Sequence, residues 1–428
     1  MRYSGITPQL FIRNRARLLK RLKPQALAIL HSNDEMPRNG DQTYVFRQNS
    51  DMFYLTGLDQ EKSILTICPN HPVEALREII FVVKTNDLMV TWYGHKYTLE
   101  QASELSGVKT AKWLDEFDST LKDLMSRAEY VYLNQNENIR FSTEVLSRDL
   151  RFAQKLRNDY PLHAFERLAP LVNELRTIKE PEELGILQKA CDITGLAFRR
   201  ILGFVKPGVL EYEIEAEITH EFIRNGASGH AYAPIIASGT NACILHYNEN
   251  DKPCNNGDLI LLDFGAEYGN YAADLSRTIP ANGKFTPRQR QVYDAVLRVM
   301  RKATKMLVPD TTIDKWHAEV CRIMEKELIG LGLFTEEDIK AQDAASPMFF
   351  NYYMHGTGHF LGLDVHDVGS KQMPLQEGMV LTCEPGIYIR EEGIGIRLEN
   401  DIMVAQEPVD LMAGIPLDPD EIEVLMAK

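Results

Sequence analysis

Two aspartates lie on the arms of one predicted β-hairpin. Residues 259–279 have the pattern of two strands around a tight turn at 268–270, with Asp263 on the first arm and Asp274 on the second. If Tyr268 and Gly269 form the turn, the aspartates face each other; if Gly269 and Asn270 form it, they are diagonal neighbours. Either register puts both on one face, with Cβ atoms roughly 5–8 Å apart. Such like charges are unfavourable without a cation between them, and the alternative is an exposed hairpin with two solvated acids.

Further polar residues interrupt apolar or glycine-rich segments. Glu384 lies in VLTCEPG and Glu399 in RLENDIMV, where a carboxylate is costly unless it is paired or binds a metal. The segment MHGTGHFLGLDVH places His355, His359 and His366 within twelve residues, among glycines that let the backbone pack closely against a site. This clustering favours a site over scattered surface histidines.

Four carboxylates and one imidazole from these segments make an oxygen-rich ligand set. That set suits Mn²⁺ or a similar divalent ion better than a closed thiolate zinc site. Four negative charges balance two divalent cations, and two ions about 3.5–4 Å apart can lower the pKa of a shared water and polarise a carbonyl. The sequence has no HExxH, GxSxG or GxxxxGK[ST] motif, so zincin, α/β-hydrolase and P-loop functions lack support.

The elements that must position these residues change character along the chain. Apolar runs at 25–30 and 79–83 predict buried strands, and 99–105 and 118–125 predict helices. Helical spacing over 171–194 places a domain boundary at about Leu171, and the proline and acids of EPEE at 180–183 predict the first turn of a second helical segment. The interpretation is a smaller mixed α/β domain over 1–170 and an α+β domain over 171–428. In the second domain, helices over 210–225, 286–308 and 313–331 alternate with strands over 259–279, 379–390 and 395–404.

The composition describes an ordinary globular protein. The chain has 428 residues, 44% of them hydrophobic and 25% charged, and a net charge of -14. That acidity is opposite to the charge of a duplex-binding surface, so we expect no nucleic-acid partner. The six cysteines form no CxxC pair and fit reduced thiols in the cytoplasm. We also expect no signal peptide and no membrane span, because no sufficiently long apolar run is present.

The order Asp, Asp, His, Glu, Glu resembles that of the pita-bread metallopeptidases of family M24. The matching segments are LLDFGAEYGNYAADLSRT, HGTGHFLGLDVHD, CEPGIYI and GIRLENDI. Within that family the segment YVFRQNSDMFYLTG, at 44–57, resembles the N-terminal domain of aminopeptidase P, with prolidase as the next match. The resemblance implies a C-terminal pita-bread (creatinase/aminopeptidase) domain, a smaller N-terminal domain, and hydrolysis of the bond between an N-terminal residue and a following proline.

The resemblance also implies a role for each site residue. Two Mn²⁺ ions per subunit, or other divalent ions, would be bound by five ligands, with the second and fifth bridging: Asp263, Asp274, His359, Glu384 and Glu399. Glu384 would in addition accept the proton of the attacking water. Catalysis and substrate binding would further involve a histidine near the scissile peptide, two outer histidines, a tyrosine beside the site and an arginine that holds a carboxylate: His246, His355, His366, Tyr388 and Arg397.

The expected partners are peptides with proline at the second position, bound by a homo-oligomer (dimer or tetramer). A close alternative is an Xaa-Pro dipeptidase with the same metal site, although TWYGHK, which includes Trp92, favours the aminopeptidase. Methionine aminopeptidases usually lack so long an N-terminal domain, and creatinases do not keep the ligands. A non-catalytic peptide-binding relative would also have lost ligands, whereas all five are present here.

Overall fold

The computed structural model describes residue 3, residues 5–343 and residues 346–427. The chain folds as two compact units, which divide between Arg176 and Thr177. The expected boundary at Leu171 lies a few residues earlier, within the same helix.

The N-terminal unit is a mixed α/β structure. Its helices and strands are, in chain order, α1 Pro8–Leu19, β1 Ala26–His31, β2 Pro37–Asn39, β3 Gln42–Thr43, α2 Ser50–Thr56, β4 Ile64–Ile67, β5 Glu78–Val82, α3 Asp87–Tyr93, α4 Leu99–Ser106, β6 Thr110–Trp113, α5 Phe117–Met125, β7 Tyr130–Leu133, α6 Arg148–Asp159, β8 Ala164–Arg167 and α7 Ala169–Thr177. Six strands form one sheet in the order β6-β5-β4-β1-β7-β8, with parallel and antiparallel neighbours. The predicted strands and helices of this unit correspond to β1, β5, α4 and α5 and are confirmed.

The C-terminal unit is α+β, as predicted. Its elements are α8 Pro181–Leu202, α9 Glu211–Arg224, β9 Gly229–His230, β10 Ile235–Ser238, β11 Leu259–Phe264, β12 Ala266–Tyr268, β13 Tyr271–Ala272, β14 Leu275–Pro280, α10 Pro287–Thr304, α11 Ile313–Gly330, α12 Glu336–Ala341, β15 Val380–Cys383, β16 Gly386–Ile389, β17 Ile394–Arg397, β18 Asn400–Met403, β19 Val409–Asp410 and α13 Pro419–Met426. Its strands pair as β10-β11-β14, β13-β12-β9, β15-β18-β19 and β16-β17, all antiparallel.

The long helices follow local sequence signals. At the start of α10 the Thr286 hydroxyl accepts the N–H of Gln289, and the Gln289 side chain accepts the N–H of Thr286. The two residues form a capping box, and Pro287 is the first residue of the helix. Val292 and Val296 then lie on one buried face. The helical spacing over 171–194 belongs to two helices, and the second begins where it was predicted: α7 ends at Thr177 and α8 begins at Pro181.

The predicted strands over 379–390 and 395–404 were wrong as continuous elements. The first is interrupted between β15 and β16 at Glu384-Pro385, and the second between β17 and β18 at Leu398-Glu399. Both arms of the 259–279 hairpin are broken as well, near Gly265 and Asp274. A strand that bends from one sheet to another leaves residues unpaired at the bend. The four candidate carboxylates lie at or beside these breaks.

Among the described residues, no helix is both long enough and apolar enough to cross a membrane.

Candidate metal centre

The hairpin register is the second of the two predicted. Tyr268 pairs with Tyr271, which leaves Gly269 (φ 58°) and Asn270 (φ 66°) in the turn. Two successive left-handed residues are typical of a type I′ turn. Asp263 therefore pairs with Ser276, and Asp274 is its diagonal neighbour rather than its direct partner.

Gly265 allows this arm to bend beside the site. A methyl group at that position would lie 1.7 Å from the carbonyl oxygen of Ala273. Only a residue without a side chain fits there, so the two arms approach closely where β11 gives way to β12.

The two aspartates converge on the hydroxyl of Tyr232. That oxygen lies 2.6 Å from Oδ1 of Asp263 and 2.5 Å from Oδ1 of Asp274. Burial, reinforced by the charges of both carboxylates, raises the pKa of Tyr232 well above its usual value, so it remains a proton donor. Sequence reasoning missed Tyr232, because it lies outside the segments with ligand spacing and no local pattern distinguishes it from a core tyrosine.

His359 and Glu384 are brought together by backbone pairing between the histidine-rich segment and β15. Glu384 donates its N–H to the carbonyl of Thr357 at 2.8 Å, and Thr382 donates its N–H to the carbonyl of His359 at 2.9 Å. A side chain on Gly358 would meet the Thr382 carbonyl at 2.1 Å, so this glycine is what permits the close approach. Gly358 thus has a packing reason, whereas a side chain on Gly356 would meet no neighbour.

Three of the predicted ligands lie close enough to share one ion. One ligand atom each from Asp274, His359 and Glu399 lies within 4.8 Å of the other two. His359 Nε2 is 3.5 Å from Asp274 Oδ2 and 3.7 Å from Glu384 Oε1. Its Nδ1 donates to the carbonyl of Phe360 at 3.0 Å, which leaves Nε2 facing the carboxylates, as a metal-binding histidine requires.

Arg397 holds Asp263 rather than Glu399. Its Nη2 donates to Asp263 Oδ2 at 2.5 Å, and its Nε donates to the hydroxyl of Ser276 at 2.8 Å. The Ser276 hydroxyl in turn donates to Glu399 Oε2 at 2.7 Å. Burial lowers the pKa of Arg397, but neighbouring Tyr388 and Asp263 raise it more, so the guanidinium stays charged.

The electrostatics of the five ligands favour a bound cation. Burial, and then the like charges of neighbouring carboxylates, raises the pKa of Glu399 well above its usual value. Burial raises the pKa of Glu384 to about 7, although the positive charges of His359 and Arg397 partly offset it. Burial also raises the pKa of Asp263. Burial lowers the pKa of His359, but contact with Asp274 and the charge of Glu384 raise it to about 9. A divalent cation would relieve this repulsion, and the oxygen-rich donors fit one.

The outer histidines lie around this cluster. The Nε2 of His355 accepts from the Tyr388 hydroxyl at 2.9 Å, while its Nδ1 lies 3.7 Å from Glu384 Oε2. Burial, with the charge of Arg397, lowers the pKa of His355 to about 3, so it is neutral. The exposed ring of His366 packs edge-on against that of His359, with centroids 4.4 Å apart.

His246 lies on an exposed loop between β10 and β11. Its neighbours Leu245 and Tyr247 pack in the apolar cluster that includes Tyr388, whose hydroxyl contacts His355 at 2.9 Å. The structure therefore places each predicted site residue in or around one cluster.

Asp401 is a second residue that sequence reasoning missed. It is fully buried, and its Oδ2 accepts the backbone N–H of Asp274 at 3.1 Å and the thiol of Cys191 at 3.4 Å. Burial and the charge of Asp274 raise its pKa well above its usual value. Its place two residues after Glu399 was visible in the sequence, but its contact with the distant Asp274 was not.

Comparison with known families matches both parts of the chain. The family described as Metallopeptidase family M24 matches residues 185–406, and that described as Aminopeptidase P, N-terminal domain matches residues 11–132.

Comparison with individual proteins extends over nearly the whole chain. The Xaa-Pro aminopeptidase of Haemophilus influenzae is 37% identical, with 97% of this chain and 96% of the relative covered. That of Escherichia coli is also 37% identical, with 99% and 98% covered. A structure of a variant of Escherichia coli aminopeptidase P in complex with substrate has a TM-score of 0.88 at 36% identity, with 99% of both chains covered. The same enzyme with the inhibitor Pro-Leu gives 0.88 at 35% identity over 99% of both chains.

Proposed function

The chain belongs to metallopeptidase family M24 and is an Xaa-Pro aminopeptidase, and we propose that its buried carboxylate cluster is the site of this hydrolysis. The bond cleaved joins an N-terminal residue to a following proline. One observation above all supports the site: Asp274, His359 and Glu399 bring ligand atoms within 4.8 Å of one another, beside Asp263 and Glu384.

Two divalent ions, which we propose to be Mn²⁺, would be held by Asp263, Asp274, His359, Glu384 and Glu399. The raised pKa values of Asp263, Glu384 and Glu399 support this assignment, because burial first and like charges second disfavour ionised carboxylates that a cation would stabilise. Escherichia coli aminopeptidase P, which is similar in fold with a TM-score of 0.88, has been solved in a zinc-substituted form with product. Bound divalent ions lower the pKa of water and polarise a carbonyl.

The chain's own residues would then handle the protons. Glu384 has a side chain that is 19% exposed, so it can reach a water at the site. We assign it the role of taking the proton of the attacking water and passing it to the proline nitrogen as that nitrogen leaves. Arg397 keeps Asp263 oriented, and Tyr232 does the same for Asp263 and Asp274.

The histidines would bind the peptide around the reacting bond. His246 would donate to the carbonyl oxygen as negative charge develops on it. His355 and His366 would border the proline pocket, with Tyr388 holding His355 in place. Recognition of proline needs a pocket that fits its ring, because the peptide nitrogen of proline carries no N–H that the enzyme could hydrogen-bond.

The wider assignments follow from the same family membership. We propose an N-terminal aminopeptidase P-type domain over 1–170 and a catalytic domain over 171–428. Six free, buried cysteines support a reducing, cytoplasmic location. Exposed aromatic residues on α3, Trp92 at 75% and Tyr93 at 73%, support assembly as a dimer or tetramer.

A peptide-length assay with metal analysis tests the function. Metal-stripped protein is given an Xaa-Pro dipeptide, an Xaa-Pro-Yaa tripeptide, or a control Xaa-Ala-Yaa tripeptide, with and without Mn²⁺. We expect hydrolysis of the Xaa-Pro-Yaa peptide alone, restored by Mn²⁺ at two ions per subunit. Preference for the dipeptide would make it a dipeptidase, and full activity in stripped protein would contradict the metal site.

A further inference from the structure

Glu211 is a buried carboxylate that the proposed chemistry does not use. It is the first residue of α9 and is fully buried. A buried carboxylate is costly unless several hydrogen bonds satisfy it. Its partners therefore indicate what it is for.

Four hydrogen bonds to Glu211 come from one segment, residues 238–252. Its Oε1 accepts the backbone N–H of Ser238 at 2.8 Å and the hydroxyl of Ser238 at 2.6 Å. Its Oε2 accepts the hydroxyl of Tyr247 at 2.7 Å and the backbone N–H of Lys252 at 3.0 Å. The carboxylate thus ties together the start, the middle and the end of a loop. We call these four hydrogen bonds the Glu211 clasp.

The far end of the loop is fixed independently. Glu211 donates its backbone N–H to the carbonyl of Lys252 at 3.0 Å. Asn250, with φ 47°, accepts the N–H of Ile236 at 3.0 Å and donates to the carbonyl of Pro234 at 3.0 Å. The backbone of Lys252 and the side chain of Asn250 therefore fix the end of the loop. The Glu211 carboxylate connects the start and the middle of the loop to that fixed end.

The middle of the loop includes His246, next to the clasped Tyr247. His246 is exposed, whereas Tyr247 is buried. Tyr247 packs in the same apolar cluster as Tyr388, whose hydroxyl contacts His355 at 2.9 Å. The fixed Tyr247 thus connects His246 to the framework of the candidate site.

We propose that Glu211 is a positioning residue that holds the 238–252 loop so that His246 faces the substrate. This inference rests on the role proposed for His246. An exposed histidine on a free loop would sample many orientations, and a catalytic donor misplaced by about 1 Å can lose about 10²-fold in rate. The clasp removes that freedom without touching the substrate.

The substitution Glu211→Gln disrupts the clasp with little change in side-chain shape. Each carboxylate oxygen accepts one backbone N–H, from Ser238 or Lys252, and a backbone N–H cannot turn round to accept. The amide has a single oxygen, so one of the two N–H groups must face an NH₂ group. Glu213→Gln is the matched control: it makes the same change on an exposed side chain in the same helix, and a glutamine oxygen can still accept the one hydrogen bond of that side chain, from the N–H of Leu210 at 2.8 Å.

Two measurements on the Mn²⁺-loaded full chain test the role of Glu211. Hydrogen exchange over 239–251 should be about tenfold faster in Glu211→Gln and unchanged in Glu213→Gln. On an Xaa-Pro-Yaa peptide, kcat should fall about 10- to 100-fold in Glu211→Gln with a smaller change in KM. Adding Glu211→Gln to His246→Ala should lower kcat by no more than about twofold beyond His246→Ala alone.

Several results would overturn the proposal. If hydrogen exchange is unchanged in Glu211→Gln, the clasp does not hold the loop. If the losses in kcat of the two single variants multiply in the double variant, Glu211 does not act through His246. Faster exchange together with wild-type kcat in His246→Ala supports the clasp but overturns the role proposed for His246. If Glu211→Gln fails to fold, Tyr247→Phe removes one clasp bond and keeps both backbone bonds; it should lower kcat about three- to tenfold, and wild-type kcat there counts against the proposal.

Discussion

Replacing Glu384 by glutamine should stabilise the metal-free protein while it removes activity. Burial, together with the charges of Asp274 and Asp263, raises the pKa of Glu384 from 4.5 to about 7. A carboxyl with a raised folded-state pKa favours folding below its unfolded pKa, and that contribution is lost as the pH rises through the folded-state pKa. The loss for Glu384 therefore falls between about pH 4.5 and pH 7.

The size of the effect follows from the shift of roughly 2.5 pKa units. At 1.36 kcal/mol per unit, the ionised Glu384 costs about 3 kcal/mol of folding free energy at pH 8. Glutamine cannot ionise, and the attraction of His359 and Arg397 for the carboxylate is already included in that net shift. We expect Glu384→Gln to gain about 1–3 kcal/mol, or about 2–6 °C in Tm for a unit of this size. At pH 5 the gain should fall below about 1 kcal/mol, because wild-type Glu384 is then protonated when folded.

Thermal melts of metal-free protein at pH 5 and pH 8, repeated with excess Mn²⁺, test this prediction. With Mn²⁺ at about 1,000 times the wild-type Kd the order should reverse, because the wild type gains about 4 kcal/mol while the variant lacks a ligand. The exposed Glu377→Gln is the control and should leave Tm within about 1 °C. In the variant, kcat should be about 10²–10⁴-fold lower. A metal-free variant less stable than wild type at pH 8, or an effect independent of pH, would refute the reasoning.

Four other substitutions separate metal binding, catalysis and stability. Asp274→Asn and Glu399→Gln should each lose one or both metals along with activity, as read by metal content; a variant with two ions and normal turnover would count against bridging. His246→Ala should keep its metal and lower kcat about 10²–10³-fold, and wild-type kcat per folded molecule would refute a catalytic role. Thr357→Val should cost about 1–3 kcal/mol in a denaturant melt, because the Thr357 hydroxyl bonds Tyr353 at 2.7 Å and that partner would be left buried; an unchanged midpoint would mean water replaces the bond.

The chemistry of the site was predictable because it restricts residue types. Carboxylates and an imidazole inside apolar or glycine-rich segments are costly unless they have a purpose, and that cost is visible without a structure. The pattern identified Asp263, Asp274, His359, Glu384 and Glu399, which lie in one cluster. The long helices of the second unit were also predictable, since their periodicity and caps are local.

The path of the strands was not predictable from local patterns. Residues 379–390 have the apolar character of one strand, but the chain leaves one sheet and joins another at Glu384. Apolar periodicity records that a residue is buried and not which sheet buries it. The choice between the two hairpin registers likewise depended on the turn at Gly269 and Asn270 and on the close approach at Gly265.

The sequence by itself therefore determined the candidate ligands, the family and the reaction, because these depend on residue type and order. Only the tertiary structure decided which residues orient that set. Tyr232 joins Asp263 and Asp274 across 31 and 42 residues, and Arg397 reaches Asp263 across 134. Hydrogen bonds between such distant residues leave no periodic signal, since their geometry exists only after the separate sheets have packed around a common site.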